Sequence, residues 1–225
     1  PAREVFEKIV LSAWESGEPG VIFIDRMNET NPTPNMGVIE STNPCGEQPL
    51  LPFESCNLGS INLANMIKKQ PKLDPIAINN INFKHLDDTI TLAVEFLDNV
   101  IDMNNYPLPE IYRATIANRK IGLGVMGWAD LLYQLHIPYG SEESIKLAKN
   151  IMGHIQHVSH KISRSIAEIR GSFPNWDKSI FKDTDTPMRN ATTITIAPTG
   201  SLAVIAGVSS GIEANFALCY NKHLT

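Results

Sequence analysis

The sequence predicts an α/β fold, and three observations support that prediction. Short runs rich in apolar and β-branched residues at 21–24, 57–63 and 191–197 are typical of strands. Longer stretches at 85–103 and 141–170 repeat apolar residues with the 3.6-residue period of amphipathic helices. The chain has 225 residues, 43% of them hydrophobic and 19% charged, so a packed core is expected.

The composition excludes several classes of protein. A formal net charge of -5 provides no basic surface for a nucleic-acid polymer. No run of eighteen apolar residues exists, so no membrane span is expected, and the first residues do not resemble a secretory signal. Three cysteines, few and odd in number, indicate a reducing compartment. A cytoplasmic protein is therefore predicted.

The first part of the chain alternates predicted elements with polar loops. Apolar residues at helical spacing predict a helix over 3–16 that ends at Gly17. Residues 21–24 are predicted to form a strand, and residues 25–36 a polar loop. Residues 57–63, in which apolar positions partly alternate, are predicted to be a strand or an extended segment.

The middle of the chain is predicted to be mainly helical. Residues 85–103 form a long amphipathic helix, and residues 108–119 form a second helix that is entered through Pro109. A short helix is expected over 128–135. Residues 68–83 are rich in Lys, Pro and Asn and are predicted to be a surface loop.

A second long helix follows, and its ends carry clear signals. Ser141 is a favourable N-cap, and Gly171 ends the helix near residue 170. The residues expected on its inward face are Ile145, Ala148, Met152, Ile155, Ile162, Ile166 and Ile169.

Three histidines lie on the other side of this helix at a spacing of three residues, at positions 154, 157 and 160. Such a spacing allows two or three imidazoles to share a zinc ion. No cysteine or carboxylate near them in the sequence completes a ligand set. A solvated or subunit-facing stripe is therefore preferred, and no metal site is predicted.

Residues 122–127 read Gly-Leu-Gly-Val-Met-Gly and fit the G-x-G-x-x-G dinucleotide fingerprint. That fingerprint requires a preceding strand and an acidic residue at the end of a second strand about twenty positions later. Residues 117–121 are largely polar, and Glu142 and Glu143 open a helix. A glycine-rich strand packed against neighbouring backbone is preferred, and nicotinamide or flavin binding stays as the minor alternative.

The β-branched run at 191–197 is the clearest strand in the sequence. It leads into Pro198, Thr199, Gly200 and Ser201, followed by an apolar helix start. Free backbone N–H groups at a helix start and nearby hydroxyls can bind phosphate, and glycine permits a close approach. An ordinary capped turn is the alternative, and the lack of a following lysine excludes a Walker motif.

Residues 41–56 hold two of the three cysteines and are interrupted by three prolines and a glycine. Such a run forms neither a helix nor a central strand, so a stiff, irregular loop is predicted. Asn43, Cys45 and Glu47 stand at alternate positions in this loop. Loops held by a scaffold are where chemistry is usually placed, which makes these three residues candidates for a reactive group.

Two parts of this stretch, 43–50 and 54–63, resemble the active-site segment of ribonucleotide reductase catalytic subunits. The resemblance is greatest to the adenosylcobalamin-dependent class, in which the two cysteines stand this close together. Residues 118–127 resemble a barrel segment of the same family, and residues 195–213 resemble its phosphate-binding segment. The resemblance implies part of a ten-stranded α/β barrel in which a finger loop carries the catalytic cysteine.

The resemblance also implies a role for each candidate residue. Cys45 would become a thiyl radical that abstracts the ribose 3′ hydrogen, and Glu47 would be the general base at the 3′ hydroxyl. Asn43 would hydrogen-bond the ribose hydroxyls, and Cys56 would supply one of two reducing thiols. The substrate-binding residues would be Ser41, Thr42, Asn43, Pro198, Thr199, Gly200, Ser201 and Leu202.

Components outside the chain are implied as well. The radical source would be adenosylcobalamin, or alternatively a second subunit that carries a metal-generated radical. The substrate would be a ribonucleoside di- or triphosphate, and a thioredoxin-like protein or another external dithiol would be the reductant. Residues 1–225 are expected to be the central part of the barrel domain, without the N-terminal effector region and the C-terminal tail. The chain would be inactive alone and would need the rest of the subunit, with a second copy of the subunit as a further partner.

A second hypothesis from another class is a non-catalytic nucleotide-binding or assembly module. Such a module would need the phosphate turn, but it has no use for two cysteines and a base. The presence of Asn43, Cys45, Glu47 and Cys56 together therefore argues against it. The third cysteine, Cys219, lies in an apolar run and is expected to be a core residue.

Overall fold

The computed structural model describes residues 1–70, 72–215, 217 and 219. The helices of the described residues are α1 (Ala2–Ser16), α2 (Ile24–Glu29), α3 (Phe83–Met103), α4 (Pro109–Asn118), α5 (Trp128–Gln134), α6 (Glu142–Arg170) and α7 (Gly200–Ala206). Their strands are β1 (Ser41–Thr42), β2 (Pro49–Leu50), β3 (Asn57–Asn62) and β4 (Ile121–Met126). None of these helices combines the length and the apolar character that crossing a bilayer requires.

The central sheet is parallel, as expected where helices connect successive strands. β3 pairs with β4 from Asn57 opposite Ile121 to Asn62 opposite Met126. On the other edge of β4, Ile194 forms a parallel bridge with Leu123. Strands and crossover helices therefore build an open α/β sheet, which is the arrangement that part of an α/β barrel would have.

The two faces of this sheet have different neighbours. On one face, a Cβ placed on Gly59 would lie 3.4 Å from Cδ1 of Leu97 in α3, and the Asn57 amide donates to the Leu97 carbonyl at 3.3 Å. On the other face, a Cβ on Gly122 would lie 2.6 Å from Nε2 of Gln48, in the cysteine loop. The helices thus cover one face, and we call the opposite face the loop face.

The long helices bury the apolar faces that hold the core together. α3 buries the residues that its period predicts: Leu86, Ile90, Val94, Leu97 and Ile101. It packs along α6, whose buried apolar residues are Leu147, Ile151, Ile155, Val158, Ile166 and Ala167. Full burial of one such side chain contributes about 1.5–3 kcal/mol, so this helix pair and the sheet under it are the main source of stability.

Several predicted helix ends are confirmed. α1 ends at Gly17, which has φ of 81° in the left-handed region. α4 has Pro109 in its first turn. The Ser141 hydroxyl caps α6 by accepting from the Ser144 N–H at 3.2 Å, and Gly171 follows the last residue of that helix.

The buried face of α6 differs from the prediction, because Ile145 is 63% exposed and Ile169 is 84% exposed. The other predicted residues do face inward, because Ile155 and Ile166 are buried and Ala148, Met152 and Ile162 pack against the core. Small polar residues of α6 are buried as well. The Ser159 hydroxyl lies 2.9 Å from the Thr193 hydroxyl, and the Ser163 hydroxyl donates to Oδ1 of Asn190 at 2.9 Å. These hydrogen bonds fix the rotation of the helix, so the spacing of the isoleucines alone does not decide which face is buried.

The predicted strand at 21–24 is wrong, and so is the loop at 25–36, because residues 21–23 are irregular and α2 starts at Ile24. An isolated apolar run needs a partner strand before it can form a ladder. Asn28 of α2 supplies strand-like pairing instead. Its side chain donates to the Ile39 carbonyl at 2.9 Å and accepts from the Ile39 N–H at 2.8 Å.

The run at 191–197 is extended but is not a regular strand, which corrects the strongest strand prediction. The Leu123 N–H donates to the Thr193 carbonyl at 2.9 Å, whereas the Ile121 N–H donates to the Thr192 carbonyl at 3.1 Å. Two residues along β4 therefore match one residue along the run. The Thr192 hydroxyl donates to the Ile121 carbonyl at 3.2 Å. This side-chain hydrogen bond replaces a backbone bond of the β-ladder.

Two further predictions can be compared with the structure. Cys219 is exposed, so its expected place in the core is wrong for the described part of the chain. In the histidine stripe, His154 lies 2.5 Å from Oδ1 of Asp87 in α3, and His160 packs edge-on against Phe181. Two histidines of the stripe, His154 and His160, therefore contact other side chains of this chain.

Candidate active site

Cys45 lies at the tip of a small hairpin formed by β1 and β2. The strands pair antiparallel, with Ser41 opposite Leu50 and Thr42 opposite Pro49. Cys45 is exposed, and Gly46 next to it adopts φ of 87°, which the turn requires. The predicted stiff loop is thus a hairpin that presents a thiol at its end.

Asn43 closes this hairpin tip. Its N–H donates to the Gln48 carbonyl at 3.1 Å, and its side-chain oxygen accepts from the Gln48 N–H at 2.9 Å. Its own carbonyl accepts from the Gly46 N–H at 3.0 Å. Because three groups of one residue are used, the loop between Asn43 and Gln48 has one well-defined shape.

Glu47 connects the hairpin to the far edge of the sheet. Its backbone carbonyl accepts from the Thr195 hydroxyl at 2.9 Å. Its side-chain oxygen Oε2 is buried and has no hydrogen-bond partner among the described residues. A buried carboxylate oxygen without a donor is costly, so this atom is available to bind a hydroxyl group of another molecule.

The glycines of β4 create the space in which the hairpin sits. A Cβ on Gly122 would collide with Nε2 of Gln48 and with the Thr195 methyl group, each at 2.6 Å. A Cβ on Gly124 would collide with the Thr195 carbonyl oxygen. All six residues of β4 are buried, and two of the fingerprint glycines lie inside the strand. The close-packed glycine strand is therefore confirmed. In a dinucleotide site the first glycines form the turn between strand and helix, whereas here only Gly127 lies between β4 and α5.

Cys56 lies directly before β3, half-buried, and its thiol donates to the Asn57 carbonyl at 3.5 Å. Burial raises the pKa of this thiol to about 12. Lys120 acts in the opposite direction, while the negative charges of Glu54 and Glu47 raise the pKa further. Cys56 is thus a protonated thiol whose surroundings include the carboxylate that follows Cys45 by two residues.

The predicted phosphate turn begins three residues after Thr195. Thr199 adopts φ of 56° and precedes α7, and its hydroxyl accepts from the Gly211 N–H at 2.7 Å. Pro198, Gly200, Ser201 and Leu202 are exposed. The first N–H groups of a helix have no partners within that helix, so the exposed start of α7 can donate to an anion.

One hydrogen bond links two of the segments that hold predicted site residues. The bond between Glu47 and Thr195 joins the hairpin of Ser41, Thr42, Asn43 and Cys45 to the segment that continues into the turn at 198–202. Cys56 lies directly before β3, and the charge of Glu47 raises the pKa of its thiol. The hairpin that carries Cys45 is therefore hydrogen-bonded to a residue three positions before the turn.

Sequence reasoning missed four residues that support the site, namely Gln48, Glu54, Lys120 and Thr195. Glu54 and Lys120 form an ion pair of 2.6 Å in which each side chain is at most 2% exposed. A lysine directly before an apolar strand was a visible signal, because lysine is almost never fully buried without a partner. The identity of that partner, 66 residues away, could not be found from spacing.

Comparison with known proteins gives consistent results. Residues 1–187 match the family described as ribonucleotide reductase, barrel domain. The chain is 49% identical over 223 residues to a vitamin B12-dependent ribonucleoside-diphosphate reductase of Thermoplasma acidophilum, which covers 99% of the chain and 28% of that relative. A protein of the same description from Mycobacterium tuberculosis is 48% identical, with 99% of the chain and 31% of the relative covered.

More distant relatives lie in a second group. The ribonucleoside-diphosphate reductase subunit alpha of Chlamydia pneumoniae is 32% identical over 264 residues, with 99% of the chain and 24% of that relative covered. A solved structure, the class Id ribonucleotide reductase alpha subunit of Actinobacillus ureae, superimposes with a TM-score of 0.74 at 24% identity. It covers 94% of the chain and 39% of that subunit, which is evidence about the fold alone. The chain spans about 30% of the length of its vitamin B12-dependent relatives.

Proposed function

This chain belongs to the ribonucleotide reductase barrel-domain family, and we propose that it carries the catalytic thiol and part of the substrate site of such an enzyme. The reaction would convert ribonucleoside di- or triphosphates into 2′-deoxyribonucleotides in the cytoplasm. Since the chain spans only a part of its relatives, the reaction is proposed for the subunit in which this segment works with the remaining barrel.

The observation that carries this proposal is the position of Glu47. Its backbone is bonded to Thr195, three residues before the turn at 198–202, and its Oε2 is buried without a partner in the described structure. It follows an exposed thiol by two residues at a hairpin tip. The reduction of a nucleotide sugar needs an acid–base group, a thiol and a place for the phosphate, and we assign these roles to Glu47, Cys45 and the turn at 198–202.

Each residue of the hairpin would then have a distinct task. The Cys45 thiyl radical would take the 3′ hydrogen atom of the ribose, because an S–H bond is weak enough for this exchange to be nearly balanced. The free Oε2 of Glu47 would accept the proton of the 3′ hydroxyl, which helps the 2′ hydroxyl leave as water. The side-chain oxygen of Asn43 is bonded to Gln48, so its Nδ2 group would donate to a ribose hydroxyl.

The phosphate group would lie at the start of α7. The N–H groups of Gly200, Ser201 and Leu202 would donate to phosphate oxygens, and the exposed Ser201 hydroxyl would add a further bond. The Thr199 hydroxyl accepts from Gly211, so its own hydrogen remains available to the substrate. With Ser41 and Thr42 at the base of the hairpin, these residues would hold the substrate at both ends.

Two external components complete the proposal. Adenosylcobalamin, when bound, would be the source of the radical. The exposed Cys45 thiol at the hairpin tip would give up its hydrogen atom to a group outside the chain. A second subunit with a metal-generated radical is the alternative. Cys56 and a second cysteine of the subunit would reduce the substrate and become a disulfide, which a thioredoxin-like dithiol would reduce again.

The proposal is tested with Cys45→Ser and Glu47→Gln in the intact protein. Cys45→Ser should abolish reduction of ribonucleotides, because a hydroxyl group cannot form the radical under these conditions. Glu47→Gln should lower kcat by about 10²–10⁴-fold, the usual contribution of a general base. Neither change should weaken nucleotide binding, which is measured by equilibrium dialysis with a labelled ribonucleotide.

The matched control is Cys219→Ser, which removes the other exposed thiol and should leave kcat unchanged. If Cys45→Ser retained full reductase activity, the proposed role of the hairpin would be excluded. Nucleotide binding without any reduction by the unmodified intact protein, supplied with adenosylcobalamin and a dithiol, would instead favour the non-catalytic nucleotide-binding or assembly module.

A further inference from the structure

Cys56 and Lys120 are neighbours across two parallel strands. The register pairs Asn57 with Ile121, so the residues directly before them, Cys56 and Lys120, occupy matching positions one residue outside the ladder. Opposite residues of adjacent parallel strands project to the same side, and the strands lie about 4.8 Å apart. Lys120 shares the side of Gly122, two residues later, which is the loop face.

Lys120 is one of the most deeply buried side chains of the protein, with 1% of its surface exposed. Its ammonium nitrogen lies 2.6 Å from Oε2 of Glu54, which is also buried. The same oxygen of Glu54 accepts from the Leu51 N–H at 2.6 Å, and its other oxygen accepts from the Asn118 side-chain amide. The pair therefore ties the segment before Cys56 to α4 and β4.

Three charged groups from different parts of the fold influence the pKa of the Cys56 thiol. Lys120 lies before β4, Glu54 lies in the loop before β3, and Glu47 lies in the hairpin. Burial is the largest influence and raises the pKa of the thiol, and the two carboxylates act in the same direction. Lys120 lowers the pKa, and its effect is the largest among the three charges.

We propose that Lys120 is a positioning residue for the reducing thiol: through Glu54 it holds the segment that ends at Cys56, and its ammonium group stabilises negative charge on the Cys56 sulfur. The chemical meaning of this role rests on the proposed function, in which Cys56 alternates between a thiol and a disulfide. The effect of the Lys120 charge on the Cys56 thiol can be measured without turnover of substrate.

The step that would use this charge is the return of Cys56 from the disulfide. An external dithiol supplies two electrons and two protons, so the S–S bond breaks, two cysteine thiols form and the dithiol becomes a disulfide. When the attacking thiolate bonds to the partner sulfur, the Cys56 sulfur leaves with the electron pair and takes up a proton afterwards. A buried thiolate is costly, and a cation beside it lowers that cost.

The test compares Lys120→Met with Lys120→Arg in the reduced, intact protein. The rate at which iodoacetamide alkylates Cys56 is followed from pH 7 to 11 by mass spectrometry of the Cys56 peptide. Lys120→Met should move the profile to higher pH and slow alkylation about tenfold at a given pH, which corresponds to about one pKa unit. Lys120→Arg keeps the charge and should retain most of the unmodified rate.

A purely structural role of Lys120 would change the alkylation rate of Cys56 in the opposite direction. If Lys120 only held the loop, Lys120→Met would loosen it, expose the thiol and make alkylation faster, and that result or an unchanged profile would overturn the proposal. Glu54→Gln combined with Lys120→Met avoids a buried, unpaired carboxylate and should give a rate between those of Lys120→Met and the unmodified protein. Lys84→Met, at an exposed lysine, should leave the Cys56 profile unchanged.

This outcome is separable from the test of the proposed function. The alkylation of Cys56 requires no substrate, cofactor or turnover, so it can succeed even if Cys45→Ser disproves the reductase chemistry. A shifted profile in Lys120→Met, together with a retained profile in Lys120→Arg, would support the electrostatic role in either case.

Discussion

At the scale of single residues, the site depends on a few side chains that each satisfy several partners. Asn43 closes the hairpin tip with three hydrogen bonds, and Glu54 receives donors from its own loop, from α4 and from Lys120. Glu47 differs from both, because its backbone is bonded and one of its carboxylate oxygens is not. Rigid neighbours around one unsatisfied group are the usual arrangement of a binding site.

Gly124 provides a prediction at this scale. In Gly124→Ala the new Cβ would collide with the backbone carbonyl of Thr195, which cannot move aside as a flexible side chain could. We expect the free energy of unfolding of the intact protein to fall by about 1–3 kcal/mol, the usual cost of overpacking. Urea denaturation followed by circular dichroism measures this change.

Gly153→Ala is the matched control, because Gly153 lies inside α6 and a Cβ there would have no neighbour within 4 Å. This change should stabilise the protein by up to about 1 kcal/mol, the difference in helix propensity between glycine and alanine. Equal stabilities of the two variants would contradict the close packing of β4 against Thr195.

At the scale of elements, α3 supports the sheet from the face opposite the hairpin. Leu97 of this helix contacts Gly59 through its side chain and accepts from Asn57 through its carbonyl. Both of those residues belong to β3, which follows Cys56 directly. The packing of α3 therefore helps determine where β3 lies, and through β3 where Cys56 lies.

The element-scale prediction compares two leucines of α3. Leu97→Ala removes a side chain that is 3% exposed and leaves a cavity under β3, so we expect a loss of about 2–5 kcal/mol in the free energy of unfolding. Leu92→Ala is the control, because Leu92 is 70% exposed and its loss should change stability by less than about 0.5 kcal/mol. Thermal and urea unfolding curves would show the difference, and equal losses in the two variants would refute this packing.

At the scale of the whole molecule, one buried carboxylate joins segments that are distant in sequence. Asp98 of α3 accepts from Arg119 at 2.9 Å, from Arg189 at 3.2 Å and from the Asn190 side chain at 3.0 Å. Arg119 also bonds both oxygens of Asp102, at 2.7 and 2.9 Å. This network connects α3, the end of α4 and the segment before 191–197, which continues to the turn at 198–202.

Asp98→Asn tests the importance of this network. It keeps the shape of the side chain but leaves two arginines without their buried counter-charge, so we expect a loss of about 3–5 kcal/mol. Asp88→Asn is the control, because Asp88 pairs with Lys84 at the surface and should contribute about 0–1 kcal/mol. If both variants melted at the same temperature, the buried network would not be a main contributor to stability.

The family resemblance stated from the sequence is confirmed by the match over residues 1–187, and so is the α/β fold as part of the reductase barrel. The helices with long apolar periods and clear caps were predicted well, because these signals are local. The strand at 21–24 was wrong, since an apolar run becomes a strand only where another strand pairs with it. The predicted burial of the isoleucines at the two ends of α6 was wrong for a related reason. Serines of this helix form hydrogen bonds with Asn190 and Thr193, and these bonds decide how the helix is rotated.

The sequence by itself determined the long amphipathic helices, the glycine strand and the group of Asn43, Cys45 and Glu47, because each depends on residues within a few positions of one another. Only the tertiary structure decided that Thr195 holds Glu47 and that Lys120 pairs with Glu54 beside Cys56. These partners are separated by 148 and 66 residues. Their contact depends on how the strands align and how closely glycines let the backbone approach, and local spacing contains no information about either.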